Sequence, residues 1–305
     1  MKNICIYGVG GVGGYFSAKM IQNDSHHRYN ISLIARGSHL EQIKNNGLEL
    51  ISENERIIAR PYIATNNILE VPKPDLILLC VKSYDLAEAI KAIDPVMTDE
   101  TVILPLLNGI DIPERIRIYS DKGYVLPACV YVGTHIDRPG VIRQKGGNGR
   151  IIFGDDRSKG CKGSHETSTV LKELGICFDY LPVPDQEIWT KYLFIAAYGI
   201  VTSATGKTLG EVYENPTLKH HVEQIMKEIV LLASKKGVNF HETAITDSLD
   251  KAKAFPFEAK TSFQRDFENK LKQNEKELFV DTLLMLSEEF GVDVPVIKQY
   301  SNLLN

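Results

Sequence analysis

The chain has 305 residues, of which 43% are hydrophobic and 24% are charged, and its formal net charge is −4. This composition is ordinary for a globular protein of one or two domains, and it excludes disordered and fibrous classes. Because Lys and Arg form no basic run, we expect no nucleic-acid partner. The sequence lacks both a run of about eighteen apolar residues and a signal-peptide pattern, so we expect a cytoplasmic protein that does not enter a membrane.

The cysteines and histidines give no sign of a disulfide framework or a metal site. The cysteines are dispersed and odd in number, and they are Cys5, Cys80, Cys129, Cys161 and Cys177. This pattern favours packed free thiols in a reducing compartment. The eight histidines show no spacing typical of metal ligands, and the pair His220-His221 is expected at the surface of a helix. We therefore expect no metal.

A glycine-rich segment near the start is the strongest functional motif. It lies between an apolar run, Ile4 to Tyr7, which predicts a buried strand, and a predicted helix. In this setting the spacing G-x-G-x-x-G allows a sharp turn, close approach of a pyrophosphate and tight packing of the helix, whose N-terminus attracts phosphate. The alternative is a turn without a ligand. The predicted dinucleotide-binding residues are Gly8, Val9, Gly10, Gly11, Val12 and Gly13.

The rest of the N-terminal half alternates strand and helix patterns. After a second strand at 31–36, the segments 47–52 and 56–64 predict a hairpin rather than another strand–helix unit. Further strands are predicted at 75–81, 101–107, 125–132, 141–144 and 150–153, with helices at 85–96 and 112–119. Apolar strands separated by helices predict a doubly wound, Rossmann-type parallel sheet, which we expect to be extended by antiparallel pieces.

The pattern changes near Pro182 and Pro184, beyond which helix patterns follow one another. These cover roughly 185–200, 216–236, 241–253, 258–269, 275–290 and 295–303. Asn215-Pro216 is typical of a helix start, and Gly237 and Gly291 of helix stops. The sequence therefore predicts an α/β Rossmann-type domain at 1–183 and a separate all-α domain at 184–305.

The end of the second predicted strand bears on the choice of cofactor. Folds that prefer NAD place Asp or Glu about twenty residues after the glycines, where the carboxylate holds the ribose 2′-hydroxyl. Here the sequence is Ala35-Arg36-Gly37-Ser38, without a carboxylate. Because a guanidinium suits a 2′-phosphate, Arg36 predicts NADPH/NADP rather than NADH. The alternative for Arg36 is a solvated charge at a strand end.

Three polar residues in or after apolar segments are candidates for chemistry. Lys82 follows the apolar strand 75–81, and Asn108 follows the strand 101–107, so both are expected at the ligand crevice of the sheet. Asn108-Gly109 is equally consistent with a simple turn. Lys191 lies in an apolar helix that contains the only Trp, where an ammonium is costly unless it is paired or used. Extension of its side chain to solvent is the alternative.

Together these motifs resemble the ketopantoate reductase (2-dehydropantoate 2-reductase) family over nearly the whole chain. The matching segments are Gly8–Gly14, Ala35–Gly37, Val81–Ser83, Leu107–Gly109, Val132–His135, Trp189–Lys191, Thr261-Ser262, Asp266, Asn274-Glu275 and Phe290–Pro295. The resemblance implies a Rossmann domain followed by a helical domain. It also implies that NADPH reduces ketopantoate to pantoate, a step towards pantothenate and coenzyme A.

The resemblance further implies a role for each candidate residue. Lys191 matches the general acid, which protonates the oxygen that becomes negative during reduction. Glu275 matches a catalytic carboxylate that positions this lysine and contacts the cofactor, and Ser262 matches a hydroxyl that binds the substrate carboxylate. Lys82 and Asn108 match residues where cofactor and substrate meet, and Asn108 is a candidate for both.

Three positions depart from the family pattern. The asparagines usual four and eight residues after the helical lysine are Ile195 and Gly199 here, and a usual glycine is Asp281. Losing a substrate hydrogen bond costs about 1–3 kcal/mol when its partner stays buried. The alternatives are therefore a reductase of another branched or larger 2-keto acid, and a catalytically inactive NADPH-binding sensor. The oligomeric state stays open, and a homodimer is among the states that the sequence allows.

Overall fold

The computed structural model describes residues 1–269 and 273–304. The chain divides into two compact units. The first comprises Met1–Leu107 and Asp111–Pro184, and the second comprises Asn108–Ile110 and Asp185–Asn305. The three residues Asn108–Ile110 therefore group with the C-terminal half, although the sequence on either side of them belongs to the first unit.

The first unit combines three β-sheets with helices. Its strands in chain order are β1 (Asn3–Tyr7), β2 (Asn30–Ile34), β3 (Leu48–Ile51), β4 (Arg56–Ala59), β5 (Ile63–Thr65), β6 (Leu76–Leu79), β7 (Val102–Pro105), β8 (Tyr124–Val125), β9 (Ala128–Tyr131), β10 (Thr134–Arg138), β11 (Val141–Gln144), β12 (Arg150–Phe153) and β13 (Phe178–Tyr180). Its helices are α1 (Gly11–Asn23), α2 (Gly37–Asn46), α3 (Leu86–Ile93), α4 (Ile112–Arg117) and α5 (Lys162–Glu173).

The main sheet has six parallel strands in the order β5-β2-β1-β6-β7-β8. The chain moves outward from β1 to β2 and β5 and then returns to β6, so the strand order reverses between β1 and β6. In such sheets, ligands bind beyond the carboxyl ends of the strands at the point of reversal. β1 and β6 are apolar because they are buried on both faces, with Ile6 and Leu78 both 0% exposed. The predicted Rossmann-type sheet is confirmed.

The antiparallel strands lie outside the main sheet, so the expectation that they extend it is wrong. β10-β11-β3-β4 form a four-stranded sheet, and β13-β12-β9 form a three-stranded one. The segment 56–64, predicted as one strand, ends as β4 at Ala59, and the chain enters the main sheet as β5 at Ile63. Pro61 lies between these strands, and a proline cannot donate to a strand ladder, so one continuous strand is unfavourable there. The helix α2, which buries only Leu40 and Ile43, has too few apolar positions to be predicted.

The four-stranded sheet packs against α1. This helix contacts β3, β4, β10 and β11. A Cβ atom built at Gly14 would lie 2.5 Å from Ile142 Cγ1 on β11, and one built at Gly11 would lie 2.7 Å from the carbonyl oxygen of Thr134 on β10. Both distances are shorter than van der Waals contact, so only glycine allows the hairpin β10–β11 to come this close. The hairpin therefore supports the first turn of α1.

The second unit is built from helices, as predicted. They are α6 (Asp185–Thr205), α7 (Leu209–Glu214), α8 (Pro216–Lys235), α9 (Ala244–Asp250), α10 (Ser262–Glu268), α11 (Thr282–Phe290) and α12 (Pro295–Leu303), with a π-helical turn at Glu277–Asp281. α6 is central, since it packs against α7, α8, α9, α10 and α12. Its apolar residues are buried on several sides, with Leu193 and Ala196 both 0% exposed.

Local residues determine where several of these helices begin and end. The side chain of Asn215 caps α8 by accepting hydrogen bonds from the backbone N–H groups of Thr217 and Leu218 at 3.1 and 3.0 Å. Gly291 ends α11 in the left-handed conformation, with φ of +63°, which an L side chain would oppose. Both boundaries are the ones that the sequence predicts. Across residues 1–269 and 273–304, none of the helices has both the length and the hydropathy needed to cross a membrane.

Candidate functional site

The glycine loop turns sharply from β1 into α1. Gly8 has φ of +97°, and its N–H donates to the carbonyl oxygen of Ile34 at 3.1 Å. A Cβ atom at Gly8 would lie 2.9 Å from the carbonyl oxygen of Cys80, which follows β6. The turn therefore needs glycine both for its backbone conformation and for the close approach of the chain from the neighbouring strand.

Two further glycines of the loop differ in the space around them. A Cβ atom at Gly13 would lie only 2.1 Å from the carbonyl oxygen of Gly8, so glycine is needed there for the helix to pack on the strand. A Cβ atom at Gly10 would meet no described atom within 4 Å. The first turn of α1 contains no acidic residue, and Gly10 at its N-cap has no side chain to bond the free N–H groups. Open space and free N–H groups fit a pyrophosphate.

Arg36 lies at the start of α2, directly after the second strand of the main sheet. It is exposed at the N-cap of the helix, whose first turn contains no acidic residue. Its guanidinium lies near the hydroxyl of Tyr7, the last residue of β1. Burial raises the pKa of Tyr7, and the adjacent Arg36 partly offsets that rise. The sequence gives no signal for Tyr7 as a neighbour of Arg36, because Tyr7 has the pattern of one more apolar strand residue.

Lys82 follows β6, whose carboxyl end is next to that of β1. It is half-buried and immediately precedes a 3₁₀ turn, Ser83–Asp85, that leads into α3. Lys82 and the glycine loop therefore lie at the ends of the two strands where the strand order reverses. Both positions are the ones at which ligands bind in doubly wound sheets.

Lys191 and Asn108 form a direct contact within the second unit. The Nζ atom of Lys191 donates a hydrogen bond to Oδ1 of Asn108 at 2.7 Å, across 83 positions of sequence. Lys191 is half-buried in the first half of α6, next to the buried Trp189 and Tyr192. The amide oxygen fixes the ammonium against an otherwise apolar helix, and this is the arrangement expected for a lysine with a defined chemical task.

The two other residues proposed for substrate and catalysis are Ser262 on α10 and Glu275 just before the π-helical turn, and both of these elements pack against α6. Ser262 is the first residue of α10, after Thr261, whose hydroxyl accepts from the N–H of Gln264 at 3.1 Å and lies 3.0 Å from the hydroxyl of Thr202 on α6. Glu275 is only 2% exposed and precedes the π-helical turn. A buried carboxylate outside any regular helix is unusual and is typical of a functional position.

The departures from the family pattern have visible structural counterparts. A Cβ atom at Gly199 would touch Phe263 Cδ1 at 3.4 Å, so the ring of Phe263 fills the space beside this glycine. Phe263 is 1% exposed and packs against Phe279, with the ring centroids 5.2 Å apart. Ile195, one turn before Gly199, is half-buried. A glycine inside a buried helix signals close approach of a neighbour, although it does not identify Phe263.

Metal and thiol chemistry have no organised site in the described residues. No group of three or more His, Cys, Asp or Glu side chains among residues 1–269 and 273–304 is placed to hold a metal ion. All five cysteines are free thiols. Burial raises the pKa of Cys5 to about 12, so this thiol stays protonated at neutral pH.

Two protein-family models match the chain. The model described as ketopantoate reductase PanE/ApbA matches residues 4–158. The model described as ketopantoate reductase PanE/ApbA C terminal matches residues 185–305. The first match contains the glycine loop, Arg36, Lys82 and Asn108, and the second contains the helical residues discussed above.

Individual proteins are similar over nearly their whole length. An "uncharacterized oxidoreductase YkpB" of Bacillus subtilis (strain 168) is 25% identical over 302 residues, which are 98% of this chain and 96% of the relative. The 2-dehydropantoate 2-reductase from Porphyromonas gingivalis W83 is 27% identical in sequence. Its crystal structure matches with a TM-score of 0.84 over 98% of this chain and 97% of that protein. A ternary structure of D-mandelate dehydrogenase with NADH and anilino(oxo)acetate has a TM-score of 0.84 over 99% of this chain and 97% of that protein. At 19% identity, this likeness shows a shared fold.

Proposed function

The chain belongs to the ketopantoate reductase PanE/ApbA family, and we propose that it uses NADPH to reduce ketopantoate to pantoate. The hydrogen bond of 2.7 Å from Lys191 to Asn108 supports this proposal most directly. Negative charge develops on the carbonyl oxygen during such a reduction, and a fixed ammonium can stabilise and then protonate that oxygen. The reaction would serve pantothenate and coenzyme A biosynthesis in the cytoplasm.

In this proposal, residues 1–183 bind the cofactor. NADPH supplies, when bound, the hydride that reduces the keto carbon. The loop Gly8–Gly13 and the N-terminus of α1 hold the pyrophosphate, since they offer open space, free N–H groups and a positive potential. Arg36, exposed at the start of α2, holds the 2′-phosphate. Lys82, after β6, contacts the cofactor from the neighbouring strand end.

Residues 184–305, together with Asn108, bind and protonate the substrate in this proposal. Lys191 donates a hydrogen bond to the keto oxygen and then gives it a proton, while Asn108 fixes the position of the ammonium and contacts substrate or cofactor. Ser262, in the first turn of α10, binds the substrate carboxylate. Glu275 positions Lys191 and contacts the cofactor, and its burial keeps the carboxylate in one place.

The proposed role of Arg36 predicts a change in cofactor preference. Arg36→Ala removes the guanidinium that pairs with the 2′-phosphate, so kcat/KM for NADPH should fall by about tenfold or more, as expected for a lost charged hydrogen bond, while kcat/KM for NADH changes little. Steady-state kinetics with both nucleotides measure the ratio. Arg60→Ala, at an exposed arginine of the same unit, is the matched control. An unchanged NADPH-to-NADH ratio in Arg36→Ala would remove this residue from the cofactor site.

A second candidate function is the reduction of another branched 2-keto acid. Family members usually carry asparagines where this chain has Ile195 and Gly199, and here the ring of Phe263 fills the space beside Gly199. The substrate therefore meets apolar surface where an amide is usual, and a substrate hydroxyl loses hydrogen-bond partners there. A 2-keto acid whose side chain carries no hydroxyl would fit such a surface better.

Kinetics on a set of 2-keto acids separate these functions. The purified protein is assayed with NADPH and ketopantoate, with 3,3-dimethyl-2-oxobutanoate, which lacks only the terminal hydroxyl, and with phenylglyoxylate, which is aromatic. We expect the highest kcat/KM for ketopantoate. A value for another acid that is higher by about tenfold, or about 1.4 kcal/mol of transition-state binding, would assign that acid instead. NADPH binding without oxidation by any of the acids would indicate a sensor.

A further inference from the structure

His39 connects α2 with the hairpin β10–β11, which supports the first turn of α1. It lies in the first turn of α2, three residues after Arg36, and its Nδ1 atom accepts a hydrogen bond from the backbone N–H of Gly140 at 2.9 Å. Gly140 forms the turn between β10 and β11, and its carbonyl oxygen in turn accepts from the N–H of Glu49 at 2.9 Å. Because Nδ1 is an acceptor, a neutral His39 carries its proton on Nε2.

The second nitrogen of the ring, Nε2, has a different environment. The Nε2 atom is buried and makes no hydrogen bond of regular geometry with a described residue. Burial lowers the pKa of His39, whereas the backbone of Val9 acts to raise it. None of the charged residues on the adjoining elements contributes to the pKa shift of His39. These residues are Arg36, Glu41, Glu49, Asp137 and Arg138. Burial of the ring is therefore the cause that lowers the pKa of His39.

The same hairpin touches the loop at two further points. Gly11 lies against Thr134 of β10, and Gly14 lies against Ile142 of β11, both too closely for a side chain. Van der Waals contacts of this kind fix a distance, but they leave sliding along the hairpin free. The directional bond from Gly140 to His39 removes that freedom, since it ties the turn of the hairpin to the first turn of α2.

We propose that His39 is a positioning residue for the nucleotide: through its hydrogen bond to Gly140 it holds the hairpin β10–β11, and with it the N-terminus of α1, in register with Arg36. The proposal rests on the proposed cofactor role of this unit. The pyrophosphate and the 2′-phosphate are held by separate segments, and their separation has to match one rigid ligand. His39 links the helix that begins at Arg36 to the hairpin that packs on α1, and in this way it determines that separation.

Three substitutions of His39 distinguish the contribution of its Nδ1 atom from that of its Nε2 atom. Asn places an amide oxygen where Nδ1 was, so His39→Asn keeps the acceptor for Gly140. Gln places an amide nitrogen near the former Nε2 and loses that acceptor, and Ala loses both. We expect the Kd for NADPH, from fluorescence titration, to rise about five- to tenfold in His39→Ala and His39→Gln and to stay within about twofold of wild type in His39→Asn. kcat at saturating NADPH should change little. Lys44→Ala, at an exposed position of the same helix, is the control.

Two further measurements test positioning rather than general stability. Amide exchange in the segment 8–14 of the nucleotide-free protein should become at least about threefold faster in His39→Ala but not in His39→Asn. Below pH 6.5, the ordinary pKa of histidine, a protonated Nδ1 would oppose the Gly140 N–H. The wild-type Kd divided by that of His39→Asn should therefore rise as pH falls through the lowered pKa, and titration of the NADPH phosphate itself cancels in this ratio.

The outcomes distinguish this proposal from the proposed function. If the wild type binds NADPH and His39→Ala matches it in either Kd or amide exchange, His39 is not a positioning residue. If the wild type binds no nicotinamide nucleotide, the proposed function fails first, and the role of His39 fails with it. Should His39→Ala not fold, the comparison between His39→Gln and His39→Asn gives the same decision, since only the Asn variant keeps the Gly140 bond.

Discussion

Lys191→Ala should lower kcat by at least about a hundredfold, the lower range for loss of a general acid, while NADPH still binds. The substitution removes the ammonium that Asn108 fixes at 2.7 Å, so nothing at this position can stabilise or protonate the oxygen of the reduced carbonyl. NADPH oxidation followed by absorbance gives kcat, and fluorescence titration gives the nucleotide Kd. We expect the Kd to stay within about twofold of wild type.

Two further variants test whether the loss of kcat is due to the ammonium of Lys191. Lys207→Ala removes an exposed lysine just beyond α6, where it pairs with Glu211, and should leave kcat unchanged. Asn108→Ala leaves the ammonium in place but removes its acceptor, so we expect a smaller loss of kcat than in Lys191→Ala. Near-normal turnover of Lys191→Ala with any 2-keto acid that the wild type reduces would show that another group supplies the proton.

Gly10→Ala should weaken NADPH binding without destabilising the fold, whereas Gly13→Ala should destabilise the fold itself. The Cβ added by Gly10→Ala would enter space that is open in the described structure, so the folded protein should lose less than about 1 kcal/mol, the difference expected at an N-cap. NADPH needs that space, and its Kd should rise at least about tenfold, or 1.4 kcal/mol. The Cβ added by Gly13→Ala would lie 2.1 Å from a backbone oxygen, so this variant should destabilise the fold by about 1–3 kcal/mol or more.

Denaturant unfolding and NADPH titration on both variants test this pair. Each variant is the control for the other. Gly10→Ala is expected to raise the Kd for NADPH at nearly unchanged stability, whereas Gly13→Ala is expected to lower the stability of the fold. A Gly10→Ala variant that binds NADPH as tightly as wild type would place the pyrophosphate elsewhere. A Gly13→Ala variant of unchanged stability would contradict the close packing of α1 on β1.

Much of the architecture is predictable because the signals are local. The adjacent residues Cys5 and Ile6, like Ile77 and Leu78, point to opposite faces and are all buried, so each central strand is apolar throughout and is recognisable without its neighbours. The start of α8 follows from Asn215, whose side chain bonds N–H groups two and three residues away. Such features involve a few adjacent residues, and a short stretch of sequence contains all of the atoms concerned.

The assembly of the strands into sheets is less predictable. β11 pairs in parallel with β3 across some ninety positions of sequence, which gives a separate four-stranded sheet instead of an extension of the main one. Strand patterns report which faces are buried, but they do not report the partner strand. The expected extension of the main sheet is wrong for this reason.

The candidate site divides in the same way. The sequence alone determines that a glycine loop lies between a buried strand and a helix, that Arg36 replaces a carboxylate, and that Lys191 lies in an apolar helix. Only the tertiary structure brings Asn108 to Lys191 across 83 positions, Gly140 to His39 across 101, Tyr7 to Arg36 and Phe263 to Gly199. Loop and helix signals arise from neighbouring residues, whereas each of these contacts depends on how distant elements pack, and no local pattern encodes that.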